Sequence, residues 1–145
     1  MIGLKAGDIF TWGNYPLYEN EPKSRRWLLY LGSNSVQAFA YLITTTTQHQ
    51  YYAEGGSRAK NNHFKIQAGV GGLERESVLD LAFFETVPED ALVRCKAEIE
   101  RKGSFKQDQV NRFMKHLERD AHIPRVVKKD ICRYLGEAGF KVPKM

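Results

Sequence analysis

The chain reads as mainly β with α: a small, strongly bent sheet or barrel over residues 1–87, followed by a helical appendage over 88–145. Three observations lead there. Short β-branched and aromatic runs recur through the first part with Gly-rich turns between them. The apolar period switches to helical spacing at Val87-Pro88-Glu89-Asp90. A length of 145 residues with 42% hydrophobic content is enough for one core without disulfides or metals.

Gly7-Asp8-Ile9-Phe10-Thr11-Trp12 alternates as a strand and is broken by Gly13-Asn14-Tyr15-Pro16. Arg26-Trp27-Leu28-Leu29-Tyr30-Leu31 is a continuous apolar run, the pattern of a strand buried on both faces, ended by Gly32-Ser33-Asn34. A third strand is expected over 36–47, and three short ones over 63–66, 77–81 and 83–87. Pro88 with two following acids opens a helix that Gly103 is expected to close. Ser104-Phe105-Lys106-Gln107 fits a capping box, with Val110, Phe113, Met114 and Leu117 at helical spacing behind it. A third helix opens at Pro124, with Val127, Ile131, Tyr134 and Leu135 on one side, and ends near Gly136 or Gly139.

The net charge of +5 is localised. Residues 1–88 hold eight basic and eight acidic side chains, while 89–145 hold fourteen and nine. The third helix carries Arg125, Lys128, Lys129 and Arg133 opposite its apolar side, so these four are candidate contacts for a polyanion or simply a solvated face. Cys95 and Cys132 are too few and too far apart for a disulfide framework, and the four histidines have no metal-ligand spacing, so no metal or cofactor is expected. No apolar run approaches a membrane span, and the expectation is a cytoplasmic protein without membrane contact.

No nucleophile-elbow, Walker, HExxH or dinucleotide motif occurs. What remains is an ordered set: Gly7-Asp8-Ile9, a polar loop, Arg26 before the apolar strand, Leu42-Ile43-Thr44-Thr45, Gly72-Leu73 leading to Ser77-Val78, and Phe84-Glu85-Thr86-Val87-Pro88. Over residues 5–87 this order resembles the MazF/PemK-like toxin family. The resemblance implies an SH3-like (MazF/CcdB-like) barrel, a homodimer, and a metal-independent endoribonuclease that cleaves single-stranded RNA and is neutralised by a cognate antitoxin. The alternative is a non-catalytic barrel module, degenerate toxin-like or gyrase-poison-like, that binds nucleic acid or a protein partner.

Carried over by position, the family's catalytic arginine falls on Arg26 and its catalytic Thr/Ser on Thr44. The chemistry suits them: a guanidinium stays positive and donates paired hydrogen bonds to a phosphate gaining negative charge. A threonine hydroxyl on a β-branched side chain is held in few rotamers. Trp27 stands where the family has proline, which leaves open whether Arg25 or Arg26 points inward. Lys23, Arg25 and Thr45 flank the pair as candidate RNA contacts. In the loop over 48–62, His49, Tyr51 and Tyr52 lie beside Arg58 and Lys60, a composition that stacks on unpaired bases for about 1 to 3 kcal/mol per base. The same tyrosines could equally fold back onto the sheet.

Overall fold

The computed structural model describes residues 3–16 and 25–145, so Lys23 lies outside the described residues. Among the described residues six strands form one antiparallel sheet: β1 (Asp8–Trp12), β2 (Arg26–Asn34), β3 (Phe39–Thr46), β4 (His63–Ile66), β5 (Ser77–Pro88) and β6 (Ile99–Ser104), in the spatial order β4-β5-β3-β2-β1-β6. Three helices accompany them, α1 (Glu89–Arg94), α2 (Gln107–Arg119) and α3 (Arg125–Glu137). Among the described residues no helix is long and apolar enough to cross a membrane.

The sheet is covered on both faces, which explains the unbroken apolar run in β2. Ile9, Leu29, Leu31, Tyr41 and Ile43 pack with Val110, Phe113, Met114 and Leu117 of α2 and Ile131 and Leu135 of α3. Their sequence neighbours Phe10, Leu28, Tyr30 and Leu42 face the other way, with Trp12, Tyr15, Val87 and Leu92 of α1. At roughly 1.5 to 3 kcal/mol for each fully buried large side chain, these two layers are the main source of stability. Gly32 adopts φ +105° where β2 bulges, and a Cβ there would fall 2.5 Å from the Tyr134 ring, so α3 rests on backbone at this point.

Three expectations are corrected. The helix expected up to Gly103 stops at Arg94, and residues 99–104 are strand β6, paired with β1 and tied to it by Arg101 Nε at 3.2 Å from the buried Asp8 carboxylate. β1 needs a second partner for its backbone groups, and that non-local demand overrides the helical composition of the segment. The strands expected over 77–81 and 83–87 are one strand, β5, interrupted by a bulge. The capping box sits two residues later than expected, because Ser104 is used by β6; Gln109 Oε1 accepts from Lys106 N at 2.8 Å. The end of α3 agrees with the glycine stop: Gly139 is left-handed at φ +102°, and Gly139 N and Phe140 N donate to the carbonyls of Gly136 and Leu135.

Neither edge strand pairs with the other, but the sheet curls until the turn after β4 lies against β6. A Cβ on Gly103 would lie 2.6 Å from the carbonyl carbon of Gly71, and one on Gly72 would lie 2.5 Å from the Lys102 carbonyl oxygen. A polar knot fastens α2 to the residue before β4. Asn62 Nδ2 donates to the His116 carbonyl at 2.7 Å and to Asp120 Oδ2 at 3.2 Å, and Asn62 Oδ1 lies 2.7 Å from His116 Nδ1. The His116 ring stacks on Phe64 at 4.7 Å.

Backbone meets backbone at Gly103, so no rotamer change can relieve an added methyl. Gly103→Ala is expected to cost about 1 to 3 kcal/mol, measured as a lower urea midpoint at unchanged slope.

Candidate functional site

Two irregularities of the sheet create an opening at one end. The β2–β3 ladder stops at Leu28↔Thr44. Beyond it, Arg26 and Trp27 pair with Trp12 and Thr11 of β1, while Thr45 and Thr46 pair with Leu79 and Val78 of β5. The two strands therefore part, bridged by Thr45 Oγ1 donating to the Trp27 carbonyl at 3.2 Å. On the other side of β3 the register jumps from Ile43↔Phe84 to Thr45↔Leu79, so residues 80–83 bulge outward opposite Thr44.

The bulge is held by Asp80, which is 1% exposed. Its carboxylate accepts hydrogen bonds from Tyr52 Oη and Asn61 Nδ2, both at 2.8 Å, and from Ala82 N at 2.9 Å. Burial, then the Asp80 carboxylate, push the Tyr52 phenol up to about 12. The Tyr52 ring packs on His63 at 4.6 Å. Of the two loop tyrosines Tyr52 thus folds back onto the sheet, while Tyr51 stays exposed.

Arg26 and Thr44 line the same cleft, a hollow of about 140 Å³ shared with Thr46, Tyr51, Arg58 and Phe83. Period two places Arg26, Thr44 and Thr46 on one face of the sheet. Arg58 is held between the rings of Tyr51 and Phe83, at 4.6 and 4.5 Å, so a planar cation with aromatic walls forms the outer rim. A second hollow, about 310 Å³, shares Arg26, Thr45, Thr46 and Gln48 with the first and extends to Trp27, Glu74 and Arg75. Arg25 lines this second hollow, with its guanidinium 5.8 Å from the Trp27 ring, and does not line the cleft that holds Thr44. Arg26 is the arginine common to both.

Other candidates fall elsewhere. His49 Nε2 lies 3.0 Å from the Glu76 carbonyl oxygen and lines neither hollow, and Lys60 is exposed beyond them. None of the four α3 cations lines either hollow. Lys128 does not lie on an open basic face: its ammonium donates to the carbonyls of Glu118 and Asp120 at the end of α2. Arg133 pairs with Asp130 at 3.4 Å and Glu137 at 3.9 Å. Thr46, Gln48, Phe83, Glu74 and Arg75 were not singled out in the sequence. Thr46 was findable, since it has the parity of Thr44, whereas the bulge that brings in Phe83 erases the alternation that would have marked it.

Chemically, the cleft offers cationic donors at Arg26 and Arg58, hydroxyls at Thr44 and Thr46, and aromatic faces at Tyr51 and Phe83. Such an arrangement can accept an anionic group joined to planar ones. Among the described residues no group of three His, Cys, Asp or Glu side chains is placed to hold a metal ion. Because the phenol of Tyr52 partners a buried carboxylate, Tyr52→Phe is expected to cost about 1 to 3 kcal/mol, read from the denaturant midpoint. Compared with protein-family models and with curated proteins, the sequence matches none.

Proposed function

We propose that this chain is a MazF/PemK-like endoribonuclease that cuts single-stranded RNA without a metal. The observation that carries the reading is that Arg26 and Thr44, far apart in sequence, line one cleft whose rim is Tyr51, Arg58 and Phe83. The curled sheet, with Gly71 against Gly103, supports the SH3-like barrel that goes with it. The homodimer and the neutralising antitoxin belong to the same reading through the family resemblance.

In this scheme the RNA 2′-hydroxyl attacks the adjacent phosphorus. A new P–O2′ bond forms, the P–O5′ bond breaks, and the products are a 2′,3′-cyclic phosphate and a 5′-hydroxyl that takes up the proton. Arg26 donates paired hydrogen bonds to the non-bridging oxygens as their charge grows, and remains protonated throughout. Thr44 is buried to 7% exposure, so its hydroxyl is restricted in position and orients one of those oxygens. Tyr51 and the Arg58 guanidinium provide stacking faces for a flanking base.

Arg26→Lys keeps the charge but loses the paired donors, and is expected to slow cleavage by about 10²-fold with little change in RNA affinity. Cleavage should persist in excess EDTA and leave cyclic phosphate ends. Loss of all activity on chelation would sink the metal-free scheme. RNA that is bound but never cut would favour a non-catalytic binding module.

A further inference from the structure

The sequence places the basic excess in residues 89–145 and offers four cations of α3 as contacts, but Lys128 caps the end of α2 and Arg133 pairs with Asp130 and Glu137 on its own helix. A different basic stripe meets the far end of the loop that carries the cleft rim. At 3.6 residues per turn Arg112, Lys115, His116 and Arg119 share one side of α2, and the three cations are exposed. This side faces the loop that leaves the cleft. Arg58 is on the cleft rim, Lys60 follows it, and two residues later Asn62 Oδ1 lies 3.4 Å from Arg119 Nε and 2.7 Å from His116 Nδ1. Arg112 lies over the Phe64 ring at 4.9 Å, on the strand that continues this loop.

Three exposed cations line the stripe. The His116 imidazole is lowered to about 4, chiefly by desolvation and then by Arg119, Arg112 and His63, so it is neutral and the three cations stand without a fourth beside them. Asp108 lies one turn before Arg112, Glu118 is three residues from Lys115, and the buried Asp120 carboxylate is taken up by Asn62 and the backbone of His122 and Ile123, so the exposed edge nearest the loop is cationic at Arg112 and Arg119. Arg119 uses Nε and Nη2 toward Asn62 and His116, which leaves other donors of its five for a ligand.

We propose that single-stranded RNA leaving the cleft runs across Arg58 and Lys60 onto the α2 stripe, where Arg112, Lys115 and Arg119 hold its phosphates. This rests on the ribonuclease reading for the identity of the ligand. The stripe spans eight residues of helix, about 10 Å from Arg112 to Arg119, and so reaches nucleotides outside the cleft. It therefore contributes to the binding of long strands and not to the cutting step.

The test compares a tetranucleotide with a 15-nucleotide RNA, both fully 2′-O-methylated to prevent cleavage, by fluorescence anisotropy across a salt series. Every phosphate that the protein ceases to neutralise should flatten the dependence of log affinity on log salt by about 0.7. R112Q/K115Q/R119Q should reduce the slope for the 15-mer by about 2 and weaken its binding at least tenfold, with tetranucleotide binding and cleavage of short unmodified RNA unchanged. R112Q/K115Q, which spares the Asn62 knot, should reduce the slope by about 1.4 and guards against a folding artefact. R125Q/K129Q on α3 should leave the slope unchanged. An unchanged slope in both α2 variants, or an equal fall in the α3 variant, would overturn the proposal. A wild-type protein that shows the α2-dependent slope yet cuts no RNA supports the RNA path and overturns the ribonuclease reading instead.

Discussion

Asp80 sits near the start of β5, the longest strand among the described residues, with its carboxylate almost wholly out of water, a position that costs several kcal/mol unless its oxygens find donors. It finds them by displacing the chain around it: the backbone of Ala82, the amide of Asn61 and the phenol of Tyr52 all turn toward it. The same three bonds hold the bulge open opposite Thr44 and tether, at Tyr52 and Asn61, the loop that carries Tyr51 and Arg58. The β5 side of the cleft is shaped by this bulge. Its geometry is thus inherited from a buried charge that does not itself line it.

The second constraint is the parting of β2 and β3. Arg26 stays with β1 and Thr46 with β5, so the strands that carry the candidate catalytic pair are adjacent at Leu28↔Thr44 and separate beyond. A ladder that continued would place the Arg26 side chain directly over Thr46 and fill the space an anion needs. Sheet edges and ladder ends are where backbone and side-chain donors remain available, and a site built there is held by rigid strands on both sides.

The helical region is part of the fold rather than an attachment to it. β6 completes the sheet beside β1, α2 and α3 cover one face, and the Asn62 knot joins α2 to the loop that forms the cleft rim. Charge is distributed accordingly. Lys128 and Arg133 serve helix ends and local ion pairs, while the exposed cations of α2 stand beside the loop that carries the cleft rim.

Local periodicity determined much of this protein from the sequence alone. The apolar run of β2, the alternation of β1, the helical spacing of Val110, Phe113, Met114 and Leu117, and the glycine stop at Gly139 were legible because each depends on a few neighbouring residues. The order of short motifs singles out Arg26 and Thr44 and leads one to expect them at one exposed cleft, which both do line. Only the tertiary structure decided that residues 99–104 are a strand, that residues 80–83 bulge, that Tyr52 turns inward while Tyr51 does not, and that α2 is tied to the loop carrying the cleft rim. Each of these is settled by a partner distant in the chain: the open edge of β1, the buried Asp80 carboxylate, and the carbonyls ending α2. A backbone or buried polar group must be satisfied wherever its donor lies, and no window of sequence contains both halves of such a bond.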